Sequence, residues 1–193
     1  MWADSLRDGE QILIRPIRPD DREQLADGMR RLSDESRYRR FFTPTSNLSA
    51  AQLRYLTEVD HHDHEALVAL DPDGGQGVGV ARFVRSRDDP ERAEVAVAVA
   101  DDWQGRGVAT ALLHRLTQRA RDEGVRRFSA DVMADNRPML ELIDEIGEAR
   151  VVRSDHGSVA IQVDLPPEGI GAALREALRA AARDLLRVPH LLR

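Results

Sequence analysis

The 193-residue chain contains no cysteine and no lysine. The first absence removes disulfides, thiolate metal sites and a cysteine nucleophile. The second removes a Schiff-base lysine and the Gly-Lys-Ser/Thr of a Walker-type nucleotide site. With arginine as the only basic residue, it reads mainly as a bias of genome composition. No apolar run approaches the ~20 residues that span a bilayer, so no membrane partner is expected. The opening Met1-Trp2-Ala3-Asp4-Ser5-Leu6-Arg7-Asp8 carries charge early and has no apolar segment, so no secretory signal is expected and the location expected is cytoplasmic. An excess of positive charge is also missing. The formal net charge of −6 argues against a general nucleic-acid binder, leaving only a localised basic groove open.

What is present is ordinary for a soluble globular protein, with 41% hydrophobic and 32% charged residues. The length suits one domain, residues 1–165, followed by a helix over 166–193. The chemistry is concentrated between Glu94 and Leu113. Glu94 opens a valine-alternating run that predicts a strand through Ala100. Asp101-Asp102-Trp103-Gln104 is a polar turn, and Gly105 and Gly107 lead into a helix with Ala109, Leu112, Leu113, Leu116 and Ala120 on one face. A strand feeding a glycine-rich turn and a helix N-terminus is a place to hold a phosphate-bearing ligand.

The remaining elements follow from periodicity and punctuation. Gln11–Arg18 predicts a strand, and Asp21 precedes a helix from Arg22 to Leu32. A short helix runs to Phe42, and Ser49 caps another carrying Leu53 and Leu56. His64–Leu70 and Val78–Val84 predict a hairpin, and a further strand begins near Arg92. Arg127–Met133 is a strand and Pro138–Ile146 a helix ended by Gly147. Strands over Ala149–Arg153 and Ser158–Val163 come next. Ile170, Leu174, Leu178, Ala181 and Leu185 then form the stripe of a C-terminal amphipathic helix. This order predicts an α+β fold, a mixed and mostly antiparallel central sheet flanked by helices.

Gln104-Gly105-Arg106-Gly107-Val108-Ala109 matches Q/R-x-x-G-x-G/A, and with the strand before it and the strand–helix unit after it the chain resembles the GNAT acyltransferases over roughly residues 10 to 164. Arg15-Pro16-Ile17-Arg18-Pro19-Asp20-Asp21, Ser36-Arg37-Tyr38-Arg39-Arg40-Phe41-Phe42 and Arg92-Ala93-Glu94-Val95-Ala96 look like the Pat-type bacterial protein acetyltransferases. In that branch the domain is commonly fused to a cyclic-nucleotide-binding or acyl-CoA-synthetase-like region, for which these residues leave no room.

The resemblance implies a GNAT fold with acetyl-CoA as acyl donor. The loop Gln104, Gly105, Arg106, Gly107, Val108, Ala109 and Thr110 would cradle its pyrophosphate. Main-chain groups of Val97, Ala98 and Val99 would follow the pantetheine arm, as would Asn136 from the next helix. Glu94, ten residues before Gln104, takes the place of a general-base glutamate, and an amide near Val97 that of an oxyanion donor. Ile143 stands where many relatives carry an acidic tyrosine. The implied function is N-acetyl transfer by direct attack, to protein lysine side chains. Transfer to a small amine such as an amino acid, polyamine or antibiotic stays open, as does a non-catalytic acyl-CoA sensor.

Other features have plainer readings. The glycine turn alone could be a simple strand-to-helix connection, and Glu94 a solvated strand end. His61-His62-Asp63-His64 invites a metal, but three histidines this close rarely reach one ion and no partner cluster is evident. A structural or solvated loop is expected, and no metal. Asp101 and Asp102 read as turn residues or as contacts to a basic substrate. Arg37–Phe42 reads as a helix with its phenylalanines in the core. Trp103 packs over the turn, and the final helix is a packing or homodimer element.

Overall fold

The computed structural model describes residues 1–41, 47–73, 75–155 and 157–166. Eight strands make one sheet: β1 (Trp2–Ser5), β2 (Gln11–Pro16), β3 (His64–Leu70), β4 (Gly77–Arg85), β5 (Arg92–Val99), β6 (Arg127–Met133), β7 (Glu148–Asp155) and β8 (Ser158–Asp164). Their spatial order is β1-β2-β3-β4-β5-β6-β8-β7. Every neighbouring pair is antiparallel except β5–β6, which is parallel. That exception needs a crossover, and the helix after the glycine loop supplies it.

Among the described residues five α-helices cover the sheet: α1 (Arg22–Arg31), α2 (Asp34–Phe41), α3 (Ala50–Thr57), α4 (Val108–Asp122) and α5 (Arg137–Ile146). The larger core lies under α4 and α5. Leu112, Leu113, Leu116 and Ala120 repeat at helical spacing and press on Ala81, Phe83, Ala93 and Val95, with Leu142, Ile143 and Ile146 of α5 completing the cluster. A smaller cluster of Ile17, Ala66, Val68 and Leu70 fills the opposite face, where α1 packs on β4 and α3.

Local chemistry sets the helix ends. Ser49 Oγ accepts the Gln52 N–H at 3.2 Å and Gln52 Oε1 accepts the Ser49 N–H at 2.8 Å, a reciprocal cap that fixes the start of α3. Gly124, at φ +81°, follows the end of α4.

The structure adds β1, which the sequence reading did not anticipate. Its short polar run pairs in register with β2, from Trp2↔Ile14 to Ser5↔Gln11. Arg115 of α4 holds its Asp4 through bonds of 2.8 and 3.0 Å. Gly147 is more than a helix stop. It is extended at φ −179°, and a Cβ there would lie 2.6 Å from Val163 Cγ1 and closer still to the Asp164 carbonyl, so the chain passes tightly over β8. The expected C-terminal helix, with its stripe from Ile170 to Leu185, lies outside the described residues. Among the described residues no helix is long and apolar enough to cross a membrane.

Candidate active site

β5 and β6 pair only at Arg92↔Arg127, Ala93↔Phe128 and Glu94↔Ser129. Beyond Glu94 the strands splay. β5 stays paired to β4 from Val95↔Phe83 to Val99↔Gly79, while β6 stays paired to β8. Main-chain groups of alternate residues between Val95 and Val99 therefore lie on an open edge inside the sheet. Glu94, named as the base candidate, sits at the apex of this cleft.

The pleat decides which way Glu94 points. Ala93 and Val95 enter the core under α4, so Glu94, Ala96 and Ala98 face the other side. Glu94 is exposed there. On β4, Arg82 is the register partner of Ala96 and Val84 that of Glu94. α2 packs on β5 and brings Arg40 to the same face. Burial pushes the Arg40 guanidinium below its ordinary pKa, and the Glu94 carboxylate acts against that shift. Arg82, only 6% exposed, is pushed down to about 10 by burial and by the charge of Arg40.

Arg82 has defined partners. Nη1 and Nη2 donate to the Leu56 carbonyl near the end of α3, each at 3.3 Å. Nη1 also lies 3.1 Å from His64 Nε2. Burial and the Arg82 charge hold His64 down to about 4, so the imidazole is neutral at pH 7 and its Nε2 accepts. Sequence reasoning missed Arg40 and Arg82. The available signal for Arg82 was a charge between Ala81 and Phe83, inside the otherwise apolar run from Val78 to Val84.

At the C-terminal end of β5 the chain makes a 3-10 turn over Asp101–Trp103 and enters the glycine loop. Gly105 (φ +73°) and Gly107 (φ +102°) are both left-handed, a conformation that strains any residue with a Cβ. Gly107 is the N-cap of α4 and offers no side-chain cap. The first-turn N–H groups of Val108, Ala109 and Thr110 thus meet no capping side chain, the arrangement that receives an anion. Thr110 and Gly107 line a polar groove with Arg7 and His114.

The turn between β1 and β2 buttresses this loop. Arg7 N–H donates to the Arg106 carbonyl at 3.0 Å, Arg106 Nε donates to Asp8 at 2.6 Å and Nη2 to Glu10. The same guanidinium lies 4.1 Å over the Trp103 ring. The hydrogen bond from Arg106 holds the Asp8 carboxyl below its usual range. The Arg106 side chain is therefore engaged within the protein, and its N–H is what the loop can offer a ligand. The exposed Gln104 is tied to its own turn, as Nε2 donates to Asp101 Oδ1 at 2.9 Å and lies 3.2 Å from the Val99 carbonyl.

Asn136 stands at the start of α5, and its Oδ1 accepts the Met139 N–H at 3.4 Å. Because β5 and β6 are parallel, Gly107 and Asn136 lie at the same end of the splay. Crevices at the carboxyl ends of parallel strands are where open sheets take ligands. Ile143, 3% exposed, belongs to the core and offers no acid. The histidines after Thr57 diverge: His61 Nδ1 meets Glu65 at 2.7 Å, His62 meets Glu123 and His64 meets Arg82. Glu65, 1% exposed, is completed by Arg119 Nε at 3.0 Å.

Residues 11–148 match the family model described as Acetyltransferase (GNAT) domain. Acetyltransferase Pat of Mycolicibacterium smegmatis is 38% identical over 185 residues, covering 94% of this chain and 55% of that protein, so the chain spans about half of that relative's length. The crystal structure of the GNAT domain of S. lividans PAT superposes with a TM-score of 0.78 at 37% identity, covering 85% of this chain and 96% of that one. yncA of Salmonella typhimurium, solved with its cofactor acetyl-CoA, shares the fold at a TM-score of 0.65 and 19% identity, covering 82% of this chain and 96% of that one. The chain belongs to the GNAT acetyltransferase family.

Proposed function

We propose that the chain is an N-acetyltransferase that moves the acetyl group of acetyl-CoA to lysine side chains of proteins, with Glu94 as general base. The observation that carries this reading is the splay of β5 from β6, which starts at Glu94↔Ser129 and opens toward the helix N-terminus at Gly107.

The donor fits along that line. The N–H groups from Gly105 to Thr110 meet the pyrophosphate, and Gly105 lets the backbone approach closely. From Val99 back to Glu94 the strand covers about 17 Å at ~3.3 Å per residue, a span suited to an extended pantetheine arm. That arm lies against the open edge of Val97 to Val99 as an added strand would, with Asn136 on its far side. The thioester then reaches the apex. An N–H near Val97 stabilises the oxyanion.

The acceptor enters from the α2 side. A lysine ammonium, with an ordinary pKa near 10.4, must lose a proton before it attacks. The positive charges of Arg40 and Arg82 on that wall favour the neutral amine, and the Glu94 carboxylate takes the proton directly or through one water. The amine attacks the thioester carbonyl and forms the C–N bond, and the C–S bond breaks as the tetrahedral oxyanion collapses. Coenzyme A leaves as a thiolate, a tolerable leaving group because thiols ionise far more readily than alcohols, and this removes the need for an acid where Ile143 stands. Similarity to Acetyltransferase Pat supports a protein acceptor. Residues 1–165 form the proposed transferase unit.

Incubation with labelled acetyl-CoA and either lysine-bearing peptides or a panel of small amines tests the acceptor. Label on peptide lysines is expected. Label confined to small amines overturns the protein-substrate reading, and coenzyme A binding without transfer to any amine makes the chain a sensor. The assay is clean because the chain has no lysine of its own to be labelled.

A further inference from the structure

Asp101, at the first position of the 3-10 turn between β5 and the glycine loop, reads in the sequence as a turn residue. In the structure its carboxylate reaches a different element. Oδ2 accepts the Ser33 N–H at 2.7 Å and Oδ1 accepts the Ser36 hydroxyl at 2.6 Å. Ser33 is itself the start of α2, as its Oγ accepts the Ser36 N–H at 3.2 Å and its carbonyl the Arg37 N–H at 2.9 Å. A carboxylate at this helix N-terminus is favoured by the helix dipole.

Gln104 closes the arrangement. Its Nε2 donates to Asp101 Oδ1 at 2.9 Å and to Ser36 Oγ at 3.1 Å. The Ser36 hydroxyl thus donates to one residue of the donor loop and accepts from another. Burial acts to raise the Asp101 carboxyl, yet the bonds from Ser36 and Ser33 and the Arg37 charge hold it below its usual range. The far end of α2, about 12 Å away at 1.5 Å per residue, carries Arg40 to the face of Glu94.

We infer that Asp101 is a positioning residue, the centre of a clasp with Ser36 and Gln104 that ties the donor loop to α2 and so sets the acceptor side of the cleft. Occupation of the loop by the acyl donor tightens α2, and the clasp carries that effect. The kinetic half of this inference rests on the acetyl-transfer reading above. The structural half does not.

The experiment follows hydrogen exchange of residues 33–41 with and without coenzyme A, alongside steady-state kinetics with acetyl-CoA and a lysine peptide. In the wild-type chain coenzyme A is expected to slow exchange in this segment several-fold. Asp101→Ala is expected to abolish that protection while coenzyme A affinity stays within about threefold, since the N–H cradle is intact. Loss of the two bonds that tie this carboxylate to α2, with that from Gln104, should lower kcat/KM for the peptide about tenfold or more, mostly through the acceptor KM. Ser36→Ala should move both readouts the same way by less and keeps the test open if Asp101→Ala folds poorly. Asp101→Asn, with one acceptor oxygen, should recover part of the loss.

A residue that only stabilises α2 would lower Tm without changing the response to coenzyme A. That result overturns the inference, as does coenzyme A leaving wild-type exchange unchanged, or Asp101→Ala losing donor affinity in step with its rate. If coenzyme A protects α2 through Asp101 but no amine is acetylated, the clasp stands and the proposed function falls.

Discussion

Gly79 of β4 lies under the first turn of α4, and an alanine there puts a measurable load on the helix proposed to hold the donor. Its Cβ would lie 3.0 Å from Leu112 Cδ1, 3.1 Å from Val108 Cγ1 and 3.3 Å from the Ala98 carbonyl oxygen. Carbon atoms pack best at about 3.5–4.0 Å, so α4 or its side chains must give by several tenths of an ångström. Leu112 and Val108 are 0% and 1% exposed, and neither has free space to move into. Overpacking of this kind costs about 1–3 kcal/mol. Removing a flexible glycine from the unfolded chain returns about 0.4–1 kcal/mol. The net expectation is a loss of about 1–2 kcal/mol, which for this chain length lowers Tm by roughly 2–8 °C. Val108 is the first residue of α4, so the displacement falls on the N–H groups proposed to meet the pyrophosphate. Acetyl-CoA affinity should weaken several-fold as well. Thermal unfolding and calorimetric titration read the two effects. A Gly79→Ala variant as stable as wild type and binding acetyl-CoA equally well would refute the argument that the cradle is seated on this close contact.

Three further outcomes are expected. Gly147→Ala, whose Cβ would lie 2.6 Å from Val163 Cγ1 and nearer the Asp164 carbonyl, should lower Tm more than Gly79→Ala. The folded variant should keep wild-type acetyl-CoA affinity, as the clash is with β8, away from the glycine loop. Gly105→Ala meets no atom within 4 Å but must hold φ +73°, so a strain of about 1–2 kcal/mol should appear with little loss of packing, again by thermal unfolding. His64 gives a pH dependence. Its folded pKa of about 4 lies below the unfolded value near 6.5, so the cost is absent above pH 6.5, grows as pH falls and is complete below 4. It amounts to at most about 3 kcal/mol. Denaturant titrations between pH 7 and 4 should show a shallower decline for His64→Gln than for wild type, and parallel curves would remove His64 from the explanation.

Much of this fold is legible locally, because periodicity and punctuation are local signals. The Ser49 cap, the helix stop at Gly147 and the stripe from Leu112 to Ala120 depend on residues a few positions apart, and each appears where the pattern puts it. β1 did not, because Trp2-Ala3-Asp4-Ser5 has too little apolar alternation to announce a strand. Its place depends on β2 and on an Arg115 far along the chain. The glycine loop could be read from its left-handed requirement and its neighbours. The splay could not, since it is a loss of pairing between β5 and β6 that no single strand records. The same holds for Arg106, whose side chain goes to Asp8 and Glu10, and for Asp101, whose partners belong to α2. Long-range polar partners leave no periodic trace, so most of the charge arrangement around Glu94 became visible only in three dimensions.

The proposed mechanism turns on Glu94 accepting the proton of the attacking amine. The most direct measurement is single-turnover acetyl transfer from acetyl-CoA to a lysine peptide by the wild-type chain and by Glu94→Gln, with acetyl-CoA affinity measured in parallel. The rate is expected to be lower by roughly 10²–10⁴ in the variant, relieved as pH rises toward the lysine pKa, with affinity for acetyl-CoA retained. Equal transfer rates at neutral pH would contradict that mechanism.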